Sequence, residues 1–163
     1  MSSTPPDPRP EALSPAQPAP PTGAMPYALG FLALTGIPFL SLIVAGVVMA
    51  AVYPSARRRG GAAAENGRRA ANWGLTTVLI TVLCLVGHFV LLFALTADAP
   101  STSFYPIGIP ITVFAVLAVA HLVVIICGLV SANRGHVFRN PLAIPFLRRH
   151  RVLTAQDVAT GQT

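Results

Sequence analysis

This chain has no lysine, only five acidic residues, two cysteines and one tryptophan in 163 residues. Just 10% of its residues are charged while 53% are hydrophobic, too few charges to clothe the surface of a soluble globule. The scarcity of carboxylates works against acid–base dyads. Asp7, Glu11, Glu65, Asp98 and Asp157 all fall outside the apolar runs, which removes the usual signature of an intramembrane proton relay or cation site. Cys84 and Cys127 lie inside apolar runs and read as small hydrophobes, not as an extracellular disulfide framework. No zinc-protease helix motif, phosphate-cradling glycine loop or Ser/His/Asp set is recognisable. No enzyme, cofactor or metal is therefore expected. The absence of lysine beside abundant alanine, proline and arginine suits a GC-rich bacterial genome.

What the chain does have is three uncharged, almost wholly apolar stretches at residues 27–53, 70–97 and 107–132. Each exceeds the ~20 residues an α-helix needs to cross a hydrocarbon layer about 30 Å thick. They predict an all-α membrane protein with three transmembrane helices, a disordered Pro-rich N-terminal tail and an interfacial C-terminal segment. The predicted parts are a tail at 1–26, a transmembrane domain at 27–147, and a basic then polar cytoplasmic tail at 148–163.

Charge placement gives an orientation. Arg57, Arg58, Arg59, Arg68 and Arg69 against Glu65 leave +4 between the first and second stretches. Arg134, Arg139, Arg148, Arg149 and Arg151 against Asp157 leave +4 after the third. The N-terminal tail and the loop from Asp98 each carry −1. Positive residues in short loops stay cytoplasmic, so three crossings put the N-terminus outside and the C-terminus in the cytoplasm of a bacterial plasma membrane. Tyr27, Tyr53, Tyr105 and Trp73 lie near the ends of the stretches, where amphipathic rings are most stable. A sequence pI near 10.7 could suggest nucleic acid, but these arginines hug membrane ends. Attraction to anionic lipid headgroups, roughly 1 kcal/mol per Arg near the surface, accounts for them and argues against nucleic-acid binding.

Nine prolines in residues 1–26 keep that segment from burying enough apolar area to offset its ordering entropy. It reads as a spacer in preference to a ligand for a proline-recognising domain, and lacks the positive start of a signal peptide. Gly36 and Pro38 predict a kink in the first helix. In the second, Ala70, Gly74, Thr77, Thr81, Cys84 and His88 draw one stripe of small or polar residues. The third repeats it with Ala118, His121, Ile125, Gly128 and Ala132. Small residues let helices approach closely in lipid and hydroxyls bond across the seam, so both stripes should face protein, either each other or the first helix together. His88 and His121 could lie at similar depth and hold haem or metal. The preferred reading is neutral imidazoles bonded to hydroxyls or carbonyls, with no metal or haem ligation.

Two fragments carry a resemblance. One leads into the second helix as Glu65-Asn66-Gly67-Arg68-Arg69-Ala70-Ala71-Asn72-Trp73; the other leaves the third through Asn133, Gly135, Phe138 and Pro141. With three crossings, the chain resembles a bacterial family of small membrane proteins of unknown function. That family is distantly similar to a channel-like component of the chloroplast inner-envelope import machinery. Asn72, Trp73, Asn133, Gly135 and Pro141 match its motif positions. The glutamine common after the Asn-aromatic pair is replaced by Gly74 and Leu75, and the import relative has a further crossing. The resemblance implies membership and topology, and an accessory membrane role; the alternative is a subunit of a transport or channel complex. The expected partners are the bilayer, anionic headgroups at the arginines, and other membrane proteins or further copies of the chain.

Overall fold

The computed structural model describes residues 21–97 and 103–148, and all regular structure among them is helical. In order come α1 (Met25–Leu29), a 3-10 helix (Gly30–Thr35), α2 (Leu40–Ala51), α3 (Tyr53–Arg59), α4 (Gly61–Thr96) and α5 (Ile109–Asn133). Three helical stretches are long and apolar enough to cross a membrane: Leu40–Arg59, Gly61–Thr96 and Ile109–Asn133. The protein is an all-helical membrane protein.

The first apolar stretch is not the single kinked helix expected over 27–53. Gly36 adopts φ +85°, which favours glycine, and Pro38 has no N–H and disfavours helix at Ile37. The chain therefore reverses between Thr35 and Leu40. Ser41 repairs the break: its hydroxyl donates to the Ile37 carbonyl at 2.7 Å and accepts from the Ile37 N–H and the Thr35 hydroxyl, both at 2.9 Å. That uses the one donor and two acceptor sites a hydroxyl has, as a break at membrane depth requires. Phe39 starts α2 at φ +61° with its ring 4.2 Å from that of Phe114.

The second helix starts at Gly61, well before the expected residue 70, after a corner at Gly60 with φ +70°. It is the spine of the bundle. α2 lies against it where Gly46 meets Gly74, and a Cβ built on either would fall 2.5 Å from the other's carbonyl oxygen. α3 lies against it where Ala56 fills the space over Gly67. On the other side α5 closes the core, with Trp73, Met49, Ile125 and Tyr27 almost wholly buried.

α5 ends in a Schellman turn. The His136 N–H donates to the Ser131 carbonyl at 3.0 Å, and Gly135 sits at φ +75°. This throws the chain back toward α4, where residues 136–147 run as a non-helical strap. The strap leaves Leu142, Ile144 and Phe146 exposed.

The expected boundary of the tail at residue 26 also shifts. Residues 1–20 and 149–163, and with them most of the expected tails, lie outside the described residues. Gly23, Pro26 and Tyr27 are buried, so packing begins near Thr22.

Candidate functional site

Asparagine is a poor residue for a helix interior because its side chain competes for backbone hydrogen bonds. α4 carries two, and both are used to hold chain from elsewhere. Asn66, fully buried, donates through Nδ2 to the carbonyls of Thr22 (2.9 Å) and His136 (3.0 Å), and its Oδ1 accepts from Phe138 N–H at 3.1 Å. Asn72 grips the far end of the strap. Its Oδ1 accepts from Leu147 N–H at 2.7 Å and its Nδ2 donates to the Leu147 carbonyl at 3.3 Å. Between them, the Thr76 hydroxyl accepts from Ile144 N–H at 2.9 Å and donates to the Asn72 carbonyl at 2.8 Å.

A charged clamp supports this clasp. Glu65 accepts from Arg68 and from Arg69, each at 2.8 Å, while Arg68 also donates to the Leu147 carbonyl at 3.0 Å. Glu65 stands in the turns of α4 that precede the apolar stretch. Burial pushes its carboxyl up, but the hydrogen bonds and charges of Arg68 and Arg69 outweigh that and hold it below its ordinary range.

Of the small and polar stripe on α4, Ala70, Gly74, Thr77, Thr81 and Cys84 are buried and His88 is half-buried. On α5, His121, Ile125, Gly128 and Ala132 are buried, and the Tyr27 ring lies directly over Gly128. His121 Nε2 lies 3.2 Å from the Gly30 carbonyl oxygen and so carries the proton. Its Nδ1 is 3.4 Å from the Thr77 hydroxyl, whose proton goes to the Trp73 carbonyl at 2.9 Å. Thr81, by contrast, bonds neither histidine, and its buried hydroxyl has no partner among the described residues. His88 Nδ1 is 3.2 Å from the Ile107 carbonyl oxygen.

The two histidines do not meet. His121 is level with Thr77 on α4, and Thr77 is about 16 Å along the helix from His88 at 1.5 Å per residue. The similar depth considered for them from sequence is not found. No group of three or more metal-ligating side chains forms among the described residues. A cavity of about 390 Å³ lies beside the break in the first stretch, lined by Leu34, Pro38, Phe39, Phe114 and Leu122 with His121 at one wall.

The motif residues separate by role. Asn72 and Trp73 are buried, Gly135 makes the turn out of α5, and Asn133 and Pro141 are exposed. Asn66 and Thr76 hold as much of the structure but were not singled out from the sequence. The signal was present in a polar amide placed mid-helix between glycine and a charged turn.

Neither a curated protein nor a solved structure matches the chain. The sequence model of one family, described as the magnetosome magnetite crystal formation protein family, matches residues 22–147. Its first and last matched residues, Thr22 and Leu147, are among those whose backbone Asn66 and Asn72 hold. A match over most of the chain, closing on the same residues as the folded unit, places this protein in the magnetosome magnetite crystal formation protein family.

Proposed function

We propose that this protein is a non-catalytic structural or accessory component of a membrane assembly, in a bacterial magnetosome or cell membrane. The observation that carries this reading is where the buried polar side chains point. Asn66, Asn72, Thr76 and His121 all bond backbone of another segment of the same chain. Groups so engaged hold a scaffold together and are not free to bind a substrate. The outward faces of α4 and α5 present Leu83, Val86, Phe93, Val116 and Val119, suited to lipid or to neighbouring membrane proteins.

The family's description concerns magnetite crystals. Iron in an oxide surface is a hard cation best held by carboxylate oxygens. This chain has five acidic residues against eleven arginines, and Glu65 already engages Arg68 and Arg69. Its contribution to such a process is accordingly to the membrane and its protein neighbours, not to templating the mineral. The arginine-rich end faces the cytoplasm, where Arg57, Arg58 and Arg59 meet anionic headgroups.

Purification in lipid nanodiscs with native mass measurement tests this. A defined homo-oligomer or a stoichiometric membrane partner is expected, and reconstituted vesicles should pass ions no faster than protein-free ones. A monomer that opens a solute or ion path would instead favour the alternative, a subunit of a transport or channel complex.

A further inference from the structure

The first apolar stretch begins and ends against neighbouring residues of α4. Thr22 is held by Asn66, while Tyr53 and Ala56 sit over Gly67. A straight helix from Tyr27 to Tyr53 would hold its ends about 39 Å apart at 1.5 Å per residue. The ends are instead brought to one place on the spine.

The contacts between them run in antiparallel order. Thr35 bonds Ser41 at the tip and Gly30 packs against Met49 lower down, while at the base Gly23 packs against Ala63 and Asn66 of α4. α5 reads the same ladder from its other side. His121 and Ile125 meet Gly30, and Gly128, nearer the arginine end of α5, meets Tyr27. Five α residues at 1.5 Å and six 3-10 residues at 2.0 Å make the ascending arm about 20 Å long. The twelve residues of α2 make the descending arm about 18 Å. The arms match, and both are shorter than a hydrocarbon core of about 30 Å.

We propose that residues 22–53 form a helical hairpin that enters and leaves the membrane on one side, so that the N-terminus lies on the same side as the arginine-rich loop and the C-terminus. The Pro-rich N-terminal segment then shares its compartment with the strap and the basic tail, instead of facing the opposite compartment as three simple crossings require. The hairpin makes no net crossing and Gly61–Thr96 and Ile109–Asn133 make two, so both ends fall on one side. Which side that is rests on the arginine-in reading above; that the ends agree does not.

The test is cysteine labelling with an impermeant maleimide in sealed spheroplasts, before and after permeabilisation, in a Cys84→Ala/Cys127→Ala background. Single cysteines at Pro21, Ser103 and Thr160 report the three positions that matter. Ser103→Cys should react at once, and Pro21→Cys and Thr160→Cys only after permeabilisation. Pro21→Cys reacting together with Ser103→Cys would overturn the hairpin. Pro21→Cys and Thr160→Cys reacting while Ser103→Cys is protected would keep the hairpin and overturn the arginine-in orientation. Should the cysteine-free background fail to fold, fluorescent-protein fusions to each end of the unmodified chain replace it, since such a protein becomes fluorescent only in the cytoplasm. Fluorescence from both fusions supports the hairpin, and fluorescence from the C-terminal fusion alone overturns it.

Discussion

Gly46 on α2 and Gly74 on α4 face each other where the two helices cross, each lacking a Cβ where one would meet the other's carbonyl oxygen. In lipid, without a hydrophobic drive between helices, close backbone approach is what makes such a contact favourable. Gly74→Leu should therefore overpack the crossing and destabilise the protein by about 1–3 kcal/mol or more. Gly128→Leu, which would drive into the Tyr27 ring, should do the same. Leu79→Ile, at an exposed position, should change little. Thermal aggregation in a mild detergent measures all three, and an unchanged midpoint for Gly74→Leu would mean the helices do not meet there.

The asparagine clasp predicts a graded result. Replacing Asn66 by leucine leaves three backbone groups of two other segments unpaired, whereas replacing Asn72 leaves only the Leu147 N–H, because the Leu147 carbonyl still accepts from Arg68. Each buried group left unsatisfied costs about 1–3 kcal/mol, so Asn66→Leu should be the more damaging. Limited proteolysis should cut the strap between residues 136 and 147 in either variant while sparing it in the parent. Equal resistance in all three would show that the clasp does not hold the strap.

For the histidines, the protein should purify colourless and without stoichiometric metal. His121→Asn removes a bond to the Gly30 carbonyl inside the core and should lower stability by about 1–3 kcal/mol. His88→Gln, at a half-buried position, should cost less, and both variants should insert. A Soret band that either substitution abolishes, or about one metal ion per chain by elemental analysis, would convert the seam into a redox or metal site.

Glu65 supplies a pH dependence. Its carboxyl is held below its ordinary value near 4.5 when folded, so its contribution is present above that value and is lost as pH falls through the folded-state pKa. The parent should be more stable than Glu65→Gln at neutral pH. The difference should shrink as pH falls below the ordinary carboxylate range and vanish below the folded-state pKa. Melting curves at stepped pH check it. A difference that did not change with pH would mean the substitution acts through packing and not through charge.

Composition and hydropathy alone determined that this is a helical membrane protein, because an uncharged run of more than twenty residues has no other economical way to satisfy its backbone in lipid. The small-residue stripe was legible for the same kind of reason, since a helical repeat of Gly, Ala and Thr among Leu and Val has a period that can be read off the chain. Asn72, Trp73 and Gly135 could be singled out as unusual residues, but not what they touch. The path of the first stretch was decided only in three dimensions. A glycine and a proline two residues apart announce a break, yet whether the chain bends and continues or turns back depends on what the returning arm meets. Here the returning arm sets Gly46 on Gly74 and Met49 against Gly30, while the ascending arm meets Ile125, Gly128 and Asn66. The clasp was hidden likewise, because a side-chain amide bonds whichever backbone reaches it, and backbone carries no mark of its sequence.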